Sequence, residues 1–183
     1  MRRCGDGRLV VIHDETIDRT TNGRGRVAGL SYEQLRQFDA GGGEAIPLLA
    51  DVLDQFGAKC LLNIELKDAG IALEVKKLVL ERGLEQNVIV SAFEWTELRL
   101  LTPEVPLALL SSKLGNLIEA AREMGAAAIH PRRDLVTAAL IASARDAKLR
   151  VHVWTVNDPS EISHFRDLGV DGIFTDCPVG VLP

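Results

Sequence analysis

Apolar and polar residues alternate along Leu62-Asn63-Ile64-Glu65-Leu66-Lys67, which puts Leu62, Ile64 and Leu66 on one face and Asn63, Glu65 and Lys67 on the other. A period of two in a run bounded by turn formers predicts a β-strand over residues 60–67. Similar runs predict strands near 87–92, 106–111, 126–130, 150–156 and 171–175. Helical patterns fall between them, near 70–82, 94–101, 115–124, 135–147 and 159–168. Gly83, Gly125 and Gly169 stand just beyond three of these helices, where a left-handed cap favours glycine. Asp158-Pro159-Ser160-Glu161 reads as a helix start, with aspartate as N-cap and proline in the first turn. Helix followed by strand predicts parallel strands joined by crossovers. Parallel sheets are normally covered on both faces, so an amide, a carboxylate and an ammonium in one row are costly unless paired, solvated or bound to a ligand. Asn63, Glu65 and Lys67 are therefore the first candidate site.

The first sixty residues follow a different pattern. Asp6-Gly7 is a hairpin-turn pair, and the β-branched run Arg8 to His13 supplies a strand after it, although only Met1 to Gly5 precede the turn. Asp14 to Gly43 reads as loop, apart from a short amphipathic piece after Ser31, where Ser31 and Gln34 have capping-box spacing. Gly41-Gly42-Gly43 lacks the Gly-Lys-Ser/Thr that would make it a phosphate-cradling loop, so it is expected to be a flexible turn. Leu48 to Phe56 is helical in pattern, with Gly57 as its C-terminal stop.

Six parallel strands fit either an open doubly wound sheet or most of a (β/α) barrel. The strand ends favour the barrel. Glu65 and Lys67, Ser91 and Phe93, Ser111 and Ser112, His130, Trp154 and Asn157, and Thr175 and Asp176 all fall at carboxyl ends. A barrel gathers those ends at one mouth, whereas an open sheet spreads them along a ridge. No Gly-x-Gly-x-x-Gly turn follows any strand, which weighs against a dinucleotide site.

Composition narrows the function classes. At 183 residues, with 46% hydrophobic and 26% charged residues, the chain is expected to be a single domain over residues 1–183. The net charge of −5, with both signs mixed along the chain, argues against nucleic acid as a partner. No apolar run suits a membrane span, so stable membrane insertion is not expected. Cys4, Cys60 and Cys177 are odd in number and far apart, which suggests reduced thiols and a cytoplasmic location.

Five strings carry a specific likeness: DGRLVVIHDETIDRTTNG near the start, then NIELK, VSAF, VHVWTVN and GVDGIFTDCP. In this order they make the chain resemble the glycerophosphodiester phosphodiesterase family over essentially its whole length. The resemblance implies an α/β fold, a (β/α) TIM-type barrel of the PLC-like phosphodiesterase kind. It also implies a small-molecule glycerophosphodiester substrate, hydrolysed to glycerol 3-phosphate and an alcohol with a divalent cation, Ca²⁺ or Mg²⁺. The family's site holds two histidines and three acidic metal ligands. His13 matches one histidine, in the His13-Asp14 pair, and Glu65 matches one metal ligand.

The other matches are missing. The chain has no His-Arg-Gly, no Glu-Asn-Thr and no Glu-x-Asp before Asp6. The expectation is therefore an incomplete barrel, with about six of eight strands and without the first strand, the first helix and most of the second strand. Met1 would then mark a start assigned too late in the reading frame. The flanks of such a barrel would be exposed and would invite association.

The resemblance, together with residue chemistry, implies the roles of the site residues. Glu65 is a hard-cation ligand, and Lys67 a point charge for a phosphate oxygen. His13 exchanges the proton of the attacking or leaving oxygen, with Asp14 orienting its ring. Trp154 and Phe93 form an apolar wall for the glycerol or head group. Asn63 supports a ligand from behind. His130 and His152 are expected to be structural, and His164 to lie on a helix surface. With one of two histidines and one of three carboxylates, the chain is expected to bind a cation poorly and to be weakly active or inactive. Two readings stand beside this one: a non-catalytic barrel remnant that binds a ligand or partner, and a related phosphodiesterase acting on lysophospholipids.

Overall fold

The computed structural model describes residues 1–178. Six parallel strands form one sheet: β3 (Leu62–Leu66), β4 (Val88–Ala92), β5 (Leu107–Ser111), β6 (Ala128–Pro131), β7 (Arg150–Val153) and β8 (Gly172–Ile173). Their order in space is their order in the chain. The sheet curls into a half-barrel, as expected for a TIM-type α/β fold with six strands present. Successive registers carry Glu65 beside Ser91, Ser91 beside Ala108, and Leu110 beside His130. Residues at these positions share the concave face, because neighbouring residues on parallel strands point the same way.

The convex face is covered by helices. α3 (Ala72–Leu80), α4 (Trp95–Leu98), α5 (Leu117–Glu123), α6 (Ala138–Asp146) and α7 (Pro159–Leu168) alternate with the strands. Ile64, Leu66, Val90, Leu107, Leu109, Ile129, Val151 and Val153 meet Val75, Val79, Leu98, Leu117, Ile162 and Phe165 in one core. Burying side chains of this size stabilises by about 1.5–3 kcal/mol each, and this core is what fixes the facing of every strand. A one-residue slip would turn Glu65 into the core and Ile64 into the concavity.

Most predicted elements are present, with ends trimmed. The strand expected over 150–156 stops at Val153; Trp154 continues only as an isolated bridge to Arg132. Asp158 caps α7, accepting from the backbone N–H groups of Ser160 and Glu161. Gly83, Gly125 and Gly169 have positive φ of 61°, 64° and 82°. Gly57 stops α2 (Leu49–Phe56), as expected, but not by a left-handed turn. Its φ is −56°, still helical. It is glycine because a Cβ there would lie 2.4 Å from Leu84 Cδ1 and 2.6 Å from Leu53 O.

At the amino end, β1 (Arg2–Arg3) pairs antiparallel with β2 (Leu9–Val10), with Arg2 opposite Val10. The Asp6-Gly7 hairpin is therefore formed, and its first arm is short. The loop-like stretch that follows has a small core of its own. Cys4, Val10, Ile12, Ile17, Val27, Leu35 and Ile46 are buried together, separate from the main core. Ser31 and Gln34 close a full capping box on the one-turn helix α1 (Tyr32–Leu35). Among the described residues no helix is long and apolar enough to cross a membrane.

Candidate active site

The strand pattern places Asn63 and Glu65 on the concave face of β3, and Lys67 follows one step beyond its end. Asn63 is exposed; Glu65 and Lys67 are half-buried. Lys67 Nζ stands 2.5 Å from Glu65 Oε1. The angle is outside hydrogen-bond geometry, so this buried oxygen has an ion-pair partner but no directed hydrogen bond. An ammonium that close compensates the carboxylate by charge whatever its angle. The same ammonium lies 5.8 Å from the centre of the Phe93 ring.

Phe93 follows β4 and is 42% exposed. It meets Trp154 edge to face, with ring centres 5.5 Å apart and planes at 90°. The indole is fixed from behind, because Trp154 Nε1 donates to His130 O at 2.7 Å. Lys67, Phe93 and Trp154 thus form a continuous wall across the carboxyl ends of β3, β4 and β7.

His13 reaches the same region from the hairpin. Its Nδ1 is 2.7 Å from Asp14 Oδ1, and Asp14 Oδ2 accepts from Arg19 Nε at 2.6 Å. Arg19 first, and His13 second, hold the Asp14 carboxyl well below the usual carboxylate range. Arg2 ties this unit to β3: its Nε donates to His13 O at 3.0 Å, and its Nη1 donates to Asp68 Oδ1 at 2.5 Å. The Met1 ammonium donates to Glu65 O at 2.6 Å, and Lys67 N donates to Met1 O at 3.1 Å. Burial lowers the pKa of that amine to about 6. His13, Asn63, Glu65 and Lys67 together line a cleft of about 290 Å³ along the free edge of β3. A smaller hollow of about 100 Å³ lies between Asp68 and Phe93.

A larger concavity lies elsewhere among the described residues. About 720 Å³ opens among Asn63, Asn87, Arg150, His152 and Phe174, towards the amino ends of the strands. It holds neither His13 nor Lys67, so the candidate chemistry does not lie in this larger hollow. Beside it sits a pair read only as structural from the sequence. His130 is fully buried, and its Nε2 is 3.0 Å from His152 Nδ1. Burial, then the neighbouring His152 and Arg150, push the His130 pKa down to about 3. The pairing was legible in principle, since both histidines occupy inward positions on successive strands. His164 is exposed on α7, as expected.

The donor set does not fit a divalent cation. Ca²⁺ takes six to eight oxygens, and Mg²⁺ needs near-octahedral geometry. Among the described residues no three His, Cys, Asp or Glu side chains converge. Three carboxylates near the mouth already face a base: Glu65 faces Lys67, Asp14 faces Arg19, and Asp68 faces Arg2.

Comparison with known proteins gives this geometry a context. Residues 2–179 match the sequence model of the glycerophosphoryl diester phosphodiesterase family. A glycerophosphodiester phosphodiesterase of Caldanaerobacter subterraneus is 35% identical over 192 residues, covering 94% of this chain and 78% of the relative. The crystal structure of a glycerophosphodiester phosphodiesterase from Agrobacterium tumefaciens superposes with a TM-score of 0.82 at 27% identity, covering 99% of this chain and 84% of that one. An Oleispira antarctica phosphodiesterase, solved in complex with the product sn-glycerol-3-phosphate, has a TM-score of 0.81 at 27% identity, with 96% and 78% covered.

Proposed function

The chain belongs to the glycerophosphoryl diester phosphodiesterase family, and from that premise we propose that it hydrolyses glycerophosphodiesters to glycerol 3-phosphate and an alcohol. The observation that carries the reading is the cleft in which His13, Asn63, Glu65 and Lys67 meet. Water oxygen bonds to phosphorus, the bond from phosphorus to the alcohol oxygen breaks, and the alcohol leaves with a proton. Lys67 holds a non-bridging phosphate oxygen by charge. His13, oriented through Nδ1 by Asp14, presents Nε2 for the proton exchange. Phe93 and Trp154 receive the carbon skeleton of the glycerol or head group, and the Asn63 amide supports the ligand from the floor of the cleft.

A divalent cation, Ca²⁺ or Mg²⁺, is the group the family resemblance implies, and Glu65 is the carboxylate in the cleft that would ligate it. Its pairing with Lys67 and the lack of converging partners among the described residues argue against tight binding. Turnover is accordingly slow: His13 is the one imidazole in the cleft, and one acid–base group supplies about 10²–10⁴-fold in rate. Cys4, Cys60 and Cys177 are all unpaired, which suits a reducing compartment, and the proposal places the enzyme in the cytoplasm.

The test is release of glycerol 3-phosphate from glycerophosphocholine, measured by a coupled assay. A low rate lost on His13→Ala is expected. A rate indifferent to His13→Ala, or cleavage confined to lysophosphatidylcholine, would overturn the proposal.

A further inference from the structure

We propose that in this chain the ammonium of Lys67, rather than a divalent cation, neutralises Glu65 and anchors a phosphate group, so that phosphate binding at the cleft is independent of metal. The inference rests on the reading of the cleft as a glycerophosphodiester site and departs from it over the source of positive charge.

Position is the first ground. Oxygen ligands stand about 2.0–2.6 Å from Mg²⁺ or Ca²⁺. Lys67 Nζ is 2.5 Å from Glu65 Oε1, the oxygen of Glu65 that is buried, so it fills the place an ion would take on that atom. The second ground is the state of three other carboxylates, Asp68, Asp14 and Glu74. Asp68 is held at both oxygens, by Arg2 Nη1 at 2.5 Å and by the Arg3 backbone N–H at 2.8 Å. Asp14 is held at both oxygens by His13 and Arg19. Glu74 is taken by Arg3 Nη1 at 2.7 Å. Freeing Asp68 for a cation would take the carboxylate from Arg2, whose side chain is only 13% exposed.

The third ground is what Lys67 keeps in hand. An ammonium has three donors. Its contact with Glu65 is close but misdirected, so N–H bonds remain for an anion entering the cleft. His13 and Asn63 line the same cleft and can share that anion. The preferred ligand class is a phosphate ester carrying a small carbon skeleton, with Phe93 and Trp154 beside the ammonium to cover the carbons.

Glu65 and the incoming phosphate compete for one ammonium, and this fixes the sign of the decisive result. Binding of sn-glycerol 3-phosphate and of inorganic phosphate to the 183-residue chain would be followed by titration calorimetry, once in EDTA and once with Ca²⁺ or Mg²⁺. Unchanged affinity in EDTA is expected for the unaltered protein, with glycerol 3-phosphate the tighter ligand. Lys67→Met should weaken binding by about tenfold or more, the worth of a charge-assisted hydrogen bond, and Lys67→Arg should restore part of it. Glu65→Gln should strengthen binding by about threefold, the scale of a lost competing ion pair. Circular dichroism melts show that the variants are folded, and the EDTA comparison needs no variant. Binding that requires the cation and disappears in Glu65→Gln overturns this inference and leaves the hydrolytic reading standing. Absence of phosphate binding with or without cation overturns both.

Discussion

His130 lies in the curl of the sheet with no exposed surface, in contact with His152 and edge-on to Phe174, with ring centres 4.9 Å apart. Its pKa is near 3, and that of His152 is lowered by burial as well. Both rings are therefore neutral when folded and gain protons near pH 6.5 when unfolded. A depressed histidine pKa gives stability that is complete above about 6.5 and is lost as pH falls towards the folded value. Each such imidazole contributes up to about 1.4 kcal/mol per pH unit in that window. Denaturant unfolding should show stability falling between pH 6.5 and 4.5, and His130→Phe should flatten part of the slope. The lowered carboxylates of Asp14 and Asp158 act in a different window, below about pH 4, where their protonation removes stability.

The two sides of the candidate site were unequally legible at this scale. Alternation alone set Asn63, Glu65 and Lys67 on one face, because a strand has no other way to bury Ile64 and Leu66. His13-Asp14 was readable because the partners are neighbours. The links from Arg2 to Asp68 and from Met1 to Glu65 span 66 and 64 residues, and no local pattern encodes such a distance. Asp14→Asn keeps the shape of the orienting side chain but removes its charge, so loss of glycerol 3-phosphate release by about tenfold or more is expected if Asp14 orients His13. An unchanged rate would reduce Asp14 to a loop contact with Arg19.

Between strands and helices, glycine separates what a sequence states from what it conceals. Gly83 and Gly57 both follow a helix. Gly83 has φ of 61° and nothing within 4 Å of an added Cβ, so Gly83→Ala should cost about 1–2 kcal/mol of backbone strain. Gly57 has helical φ, yet an added Cβ would meet Leu84 Cδ1 and Leu53 O. Gly57→Ala should then cost about 1–3 kcal/mol through overpacking, by a different mechanism. Urea unfolding of both, followed by Leu84→Ala in each background, distinguishes the two. Trimming Leu84 rescues part of the loss at Gly57 and none at Gly83. The capping residues Ser31 and Asp158 were readable because a cap acts within three residues. The small core of Ile17, Val27, Leu35 and Ile46 was not, because its members are scattered through text without period.

The whole molecule is a sheet whose two flanking strands, β3 and β8, have no further strand of the sheet beside them among the described residues. Along β3 the backbone of Met1 occupies only the contacts at Glu65 and Lys67. Leu61, just before that strand, is 77% exposed. Open edges next to exposed apolar side chains favour pairing with another chain. Sedimentation velocity should therefore show association that grows with protein concentration, and Leu61→Lys should reduce it. A monomer at every concentration would show that the edges are protected in some other way. The curl of the sheet was inferable from polar residues at six strand ends, since only a curl brings them together; the position of the larger hollow, at the opposite end, was not, since it depends on side chains filling space in three dimensions.

Because each strand of the sheet lies beside its predecessor, nascent chain emerging from a ribosome can add one strand at a time to a surface already made. His13, Glu65, Lys67 and Phe93 all precede β5 in the chain, and the hairpin meets β3 through the Met1 ammonium and Glu65 O. Trp154 is the late arrival. The polar residues of the cleft are thus synthesised before β7, and the aromatic wall is completed only when β7 docks.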